Sequence, residues 1–207
     1  MTAAASISAL LEAIDARLAT IDLQGVRDVR AGLARWRDGP QQGVKARSLP
    51  PCRLLPEALT AMPDQTLAST IAAALPHLRW ITYDAYPRAD IGAEFADGHA
   101  FTSLVGEEAH RVAEDFDLGL FLIAPRTLYR DHHHKAPELY LPFTGPHGWR
   151  FLPDVSFHEK PAGVPVWNEP WAPHATLTGA VPFLCLFAWT RDVNDPARVI
   201  PVDEARA

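Results

Sequence analysis

The sequence predicts a mainly β protein with a helical N-terminal region packed on it. Two observations carry this. The first 37 residues repeat apolar side chains at helical spacing, and from Trp80 onward the chain breaks into short β-like runs bounded by Pro, Gly, Asp or Asn. A third observation concerns one strand. In Val181–Trp189 (VPFLCLFAW), Phe183, Cys185, Phe187 and Trp189 fall on one face, with Leu184, Leu186 and Ala188 on the other. A strand that is apolar on both faces is covered outside and filled inside, which favours a barrel or sandwich with helices against it.

Taken in order, Leu10, Leu11, Ile14, Leu18 and Ile21, then Val26, Val29, Leu33 and Trp36, draw a helical stripe over residues 5–37. Such a stripe has to be buried, because an isolated helix in water is marginal. It either covers the barrel or forms the contact of a homodimer. Residues 38–63 are rich in Pro and Gly and read as an irregular connector with at most a short helix. Asp64 caps a second helix reaching about Leu75, ended near Pro76. The β-like runs are Arg79–Tyr86, Gly119–Ala124, Leu139–Phe143, Gly148–Leu152, Val164–Trp167 and Val181–Trp189. Val105 to about Glu114 reads as a helical turn or an irregular edge. The expected division is an N-terminal helical region and connector, 1–76, and a barrel carrying the site, 77–207, forming one compact unit.

Apolar residues at 48% and charged residues at 21% are enough to bury a core. A net charge of −6 without any Lys/Arg run longer than two argues against nucleic acid or an anionic membrane surface as partner. No stretch approaches the roughly 20 apolar residues that span a bilayer. Glu12 and Asp15 interrupt what would otherwise be the apolar run of a signal peptide. Of the two cysteines, Cys52 and Cys185, the second lies in an apolar run and reads as a buried thiol, so no disulfide framework is expected. The default is a cytoplasmic protein acting on a small molecule.

The chemistry concentrates in Tyr129-Arg-Asp-His132-His133-His134-Lys-Ala-Pro-Glu138-Leu-Tyr140. On a strand His132 and His134 project together. Glu138 and Tyr140 share that parity, with a turn or bulge expected at Pro137. Two imidazoles and a carboxylate suit one divalent transition ion, whether Zn, Fe, Mn, Co or Ni. A fourth ligand has to come from a later strand, and His174, directly before the strongest strand, is the best candidate. The competing reading is a surface histidine cluster, against which Glu138, Tyr140 and the distant His174 weigh. His133 has the opposite parity and is expected to pack or face solvent. His77, His99, His110, His147 and His158 lack partners at ligand spacing and read as structural or exposed.

His132-x-His134-x3-Glu138-x6-Gly145 resembles the first cupin motif, with Arg126 where its leading Gly belongs. Gly163 and His174 stand at the separation of the second motif, with Glu-Pro-Trp between them in place of Pro-x-Gly and Thr178 in place of the closing Asn. Those departures, Tyr140, the helical N-terminus and the ending Phe187-Ala-Trp189-Thr-Arg-Asp resemble the cupin-type dimethylsulfoniopropionate (DMSP) lyases over roughly residues 76–192. The resemblance implies a cupin β-barrel, or double-stranded β-helix, around a divalent metal. It places His132, His134, Glu138 and His174 about that metal, with His132 either a tight ligand or a substrate-side group. It implies that Tyr140 touches the metal and takes part in catalysis, with Tyr129 the competing candidate for the base. Trp189 is the residue it puts against the substrate.

The chemistry fits. Cleaving DMSP removes a weakly acidic proton beside a carboxylate and expels dimethyl sulfide, leaving acrylate; a metal on the carboxylate offsets charge building there. A phenol has an ordinary pKa of about 10, and beside a divalent cation this falls, giving a phenolate able to act near neutral pH. The sulfonium suits an aromatic face better than a carboxylate that would itself bind metal. Trp80, Tyr83, Tyr86, Trp149, Trp167, Trp171 and Trp189 form the pool, Trp189 first, the others more often packing. The same ligands also serve a cupin dioxygenase, an isomerase or a non-catalytic small-molecule-binding cupin; a tyrosine two residues after the glutamate favours proton abstraction.

Overall fold

The computed structural model describes residues 2–201, so 202–207 of the stretch assigned to the barrel lie outside the described residues. The N-terminal stripe forms two helices, α1 (Ala3–Leu18) and α2 (Gln24–Trp36), where one helical region was expected. Arg30 and Arg37 of the second helix and its end reach back to Asp15 at 2.7 and 3.5 Å and tie the pair together. The connector holds a 3-10 turn (Pro50–Leu54) and the short α3 (Leu55–Ala61). As expected, Asp64 caps α4 (Gln65–Ala74), its carboxylate accepting the Leu67 N–H at 2.9 Å. The run Arg79–Tyr86 is not a strand. Only single bridges form there, at Arg79 and Ile81, followed by α5 (Arg88–Ile91) and α6 (Ala93–Gly98).

The strands are β1 (His99–Gly106), β2 (Arg111–Val112), β3 (Asp117–Ile123), β4 (Leu128–His133), β5 (Glu138–Pro142), β6 (His147–Phe151), β7 (His158–Lys160), β8 (Val166–Asn168), β9 (His174–Leu177), β10 (Phe183–Trp189) and β11 (Arg198–Val199). The segment from Val105 to Glu114 is thus the end of β1, a turn and the edge strand β2. One sheet runs β2-β1-β3-β10-β5-β8 and the other β11-β4-β9-β6-β7. Within them, β3-β10-β5-β8 faces β4-β9-β6-β7, and the chain passes from one group to the other at almost every step. This is the eight-stranded jelly roll, the double-stranded β-helix of the cupin barrel.

Alternation along the strands sorts the side chains. From β10, Leu184, Leu186 and Ala188 join Leu120, Leu122, Leu139 and Leu141 in a cluster with Ile7, Leu10, Ile14 and Ile71 of the helices. The N-terminal stripe therefore covers the barrel. Each such Leu or Ile contributes about 1.5–3 kcal/mol by leaving water, which is what holds α1 and α2 as helices at all. Close approach of α2 depends on missing side chains: a Cβ at Gly25 would run into the Trp167 ring, and one at Gly32 into Phe116. On the opposite face Phe183, Cys185 and Phe187 fill the barrel with Phe121, Tyr140 and Trp149. Cys52 and Cys185 are both buried and free. Among the described residues no helix is long and apolar enough to cross a membrane.

Candidate metal centre

Three strands meet at the site. His132 on β4 stands directly opposite His174 on β9, His134 follows β4, and Glu138 and Tyr140 share the inward face of β5. Tyr129 and His132 lie three apart and would face opposite sides of a regular strand. A register shift between them turns both inward, where their rings stack at 3.9 Å.

Each histidine is oriented through Nδ1. His132 Nδ1 lies 2.8 Å from the Arg130 carbonyl, His134 Nδ1 2.7 Å from that of Ala136, and His174 Nδ1 2.8 Å from that of Ala172. A carbonyl only accepts, so each Nδ1 carries its proton and Nε2 is the inward-facing atom of each ring. The ligand atoms of His132, His134 and His174 lie within 4.8 Å of one another, all three residues buried. The Nε2 atoms of His132 and His174 are sealed from water without any hydrogen-bond partner. Burial, and then the neighbouring His174 and His134, hold His132 well below the ordinary imidazole value, so its lone pair is free. Orphaned lone pairs converging in a dry pocket are costly unless a cation accepts them. The donor set fits a divalent transition ion, and this group could hold one.

Glu138 adjoins the triad, its Oε2 3.1 Å from His134 Nε2 and 3.5 Å from His174 Nε2. Burial opposes its ionisation, yet His134 and His174 hold the carboxyl well below the usual carboxylate range. Two donors fix it: the Trp189 indole N–H to Oε1 and the Asn168 amide to Oε2, both at 2.8 Å. Burial, and next the Glu138 charge, push the Tyr140 phenol well above its ordinary value. Burial likewise raises Tyr129, whose hydroxyl lies 2.7 Å from that of Tyr86. The protein by itself keeps both phenols protonated. Trp189 lies over His134, ring centroids 4.7 Å apart, and borders a cavity of about 160 Å³ shared with Glu138, Tyr140 and Tyr129.

His132, His134, Glu138, His174, Tyr129, Tyr140 and Trp189 are thus brought together, whereas Trp80 and Trp167 of the aromatic pool pack with the helix-side cluster and Trp171 is exposed. His133 turns away and packs edge-on against Trp171 at 5.4 Å. His99, His110 and His147 are engaged elsewhere, with Phe95, His77 and Thr144 respectively. Asn168, which stands opposite Glu138 across β5 and β8, escaped the sequence, and Tyr86, weighed there as an aromatic face but more often packing, bonds Tyr129 at the cavity. The available signal for Asn168 was a polar residue closing an apolar β-like run.

A family model described as dimethylsulfoniopropionate lyase matches residues 28–185. Over 129 residues the chain is 30% identical to the inferred DMSP lyase DddL of Cereibacter sphaeroides, covering 61% of this chain and 51% of that protein. The chain therefore spans about half the length of this curated relative. Two solved structures share the fold. One, from crystal structures of the DMSP lyases RdDddP and RnDddQII, has a TM-score of 0.75 at 23% identity, covering 96% of this chain and 100% of that one. The other, the DMSP lyase DddQ from Ruegeria pomeroyi DSS-3, has a TM-score of 0.73 at 22% identity, covering 96% and 97%.

Proposed function

The chain belongs to the dimethylsulfoniopropionate lyase family, and from that premise we propose that it is a carbon–sulfur lyase that splits DMSP into dimethyl sulfide and acrylate. One observation carries the reading: three inward Nε2 atoms within 4.8 Å of one another, with the Glu138 carboxylate beside those of His134 and His174 and two buried phenols on the same cavity. His132, His134, His174 and Glu138 would hold a divalent cation. When bound, it supplies positive charge that lowers the phenol pKa and offsets charge building on the substrate carboxylate.

Tyr140, two residues from Glu138 on the inward face of β5, is the base of this proposal. As the phenolate, formed when the cation lowers its pKa and its own proton passes to solvent, its oxygen takes the proton from the carbon beside the carboxylate. The C–H electron pair becomes the new C=C bond and the C–S pair leaves with sulfur, so dimethyl sulfide departs neutral and acrylate remains. Tyr129, hydrogen-bonded to Tyr86 and stacked on His132, closes the opposite side and keeps water from the reacting carbon. Trp189 both steadies Glu138 and offers its face to the sulfonium.

The test is headspace gas chromatography of purified protein with DMSP and each of several divalent metals, with acrylate followed by NMR. Equal amounts of dimethyl sulfide and acrylate support the proposal. Absence of both with every metal overturns it.

A further inference from the structure

Apart from Glu138, a second carboxylate reaches the cavity. Asp117 opens β3 and stands directly across from Trp189 on β10, which itself stands across from Glu138 on β5. Residues in one such row point to the same face of the sheet, so Glu138, Trp189 and Asp117 form a line along the inner wall. Asp117 Oδ1 is shielded from water and has no hydrogen-bond partner. Its place is made by Gly106, where a Cβ would stand only 3.0 Å from Oδ1. Burial pushes this carboxyl up to about 7, with only the Ser103 side chain and the Leu118 N–H acting the other way; no cationic side chain contributes. A buried carboxylate in that condition is costly unless something positive offsets it.

We propose that Asp117 is the cation-recognising residue of the substrate pocket, facing the onium end of a short ω-onium carboxylate whose carboxyl end lies at the Glu138 group. This rests on the lyase reading for the orientation of the substrate. The geometry suits it: neighbouring strands lie about 4.8 Å apart, so Asp117 stands two strands, about 10 Å, from Glu138. In DMSP the carboxyl carbon and the sulfur are separated by roughly 4 Å of extended chain. With a contact of about 3 Å at each end, such a ligand spans the interval, its cation between Trp189 and Asp117. Trp189 separates the two carboxylates, which answers the objection that a carboxylate near the sulfonium would compete for the metal. Aromatic faces accept the methyl groups, and the single charge discriminates against uncharged ligands of the same shape.

Isothermal titration with two isosteric probes tests this. One is 3-(trimethylammonio)propionate; the other is 4,4-dimethylpentanoate, which replaces the onium by a carbon. Wild-type protein is expected to bind the cationic probe at least tenfold more tightly. Asp117→Asn is expected to bring the ratio near one while leaving the affinity for dimethylpentanoate unchanged, and Asp117→Ser serves if the first variant does not fold. No preference in the wild type, a preference that survives substitution, or equal weakening for both probes each overturns the proposal. Neither probe is a sulfonium, so the ratio is read whether or not dimethyl sulfide is released from DMSP, and the two readings fail separately.

Discussion

The indole N–H of Trp189 donates to Glu138 Oε1 at 2.8 Å from the neighbouring strand. With Asn168 on the other oxygen, Glu138 is fixed between β10 and β8 and presented to the histidines. Partners of this kind typically control metal affinity by 10–100-fold. Trp189→Phe, which keeps the ring but not the donor, is expected to weaken metal binding about tenfold in competition with a chromophoric chelator. Unchanged affinity would mean that the indole does not position Glu138.

Tyr140 and Tyr129 border one cavity in different surroundings, the first under the influence of the Glu138 charge and the second hydrogen-bonded to Tyr86. A positioned base is worth about 10²–10⁴ in turnover. Tyr140→Phe is expected to lose that much with metal content intact, as read by elemental analysis beside the dimethyl sulfide assay. Tyr129→Phe is expected to retain the larger part. The reverse pattern assigns the base to Tyr129.

His174 is held by the Ala172 carbonyl and meets His132 across the β4–β9 pair. His174→Ala removes one of three converging nitrogens and is expected to leave the purified protein with little bound metal. Full occupancy in that variant contradicts its place among the ligands.

Much of this site was legible before the fold was known. His132, His134, Glu138 and Tyr140 lie close in sequence, and their common direction follows from strand parity. The two-faced β10 likewise announced a filled and covered barrel. Lateral neighbours were not legible, because spacing along one strand does not encode register against another. Asn168 and Asp117 reach Glu138 and Trp189 only through the β5–β8 and β3–β10 pairings. Tyr129 needed a bulge to turn inward beside His132. β1 was missed because His99, Thr102 and Ser103 interrupt its apolar pattern, and the turn at Ala19 and Thr20 split the expected helical stripe in two.

His147 gives a pH dependence separate from the metal group. The Gly179 N–H donates to its Nδ1 at 3.0 Å, so the proton sits on Nε2 and faces Thr144 Oγ1 at 3.1 Å. Burial lowers this histidine from 6.5 to about 4. Between those values the unfolded chain binds a proton that the folded chain refuses. The contribution is therefore complete above pH 6.5 and is lost as pH falls toward 4, by on the order of 3 kcal/mol. Urea unfolding at pH 7 and pH 5 is expected to show roughly 2 kcal/mol of this loss, and His147→Asn is expected to flatten the slope. Equal slopes in the two proteins refute it.

The central claim is that the His132, His134, His174 and Glu138 group holds the ion on which DMSP cleavage depends. Its most direct measurement is dimethyl sulfide release during titration of metal-stripped protein with a divalent metal. The account predicts no release from stripped protein and a rise that saturates at one equivalent, absent in His174→Ala. Undiminished release from the stripped protein, or an unaltered titration in that variant, would contradict it.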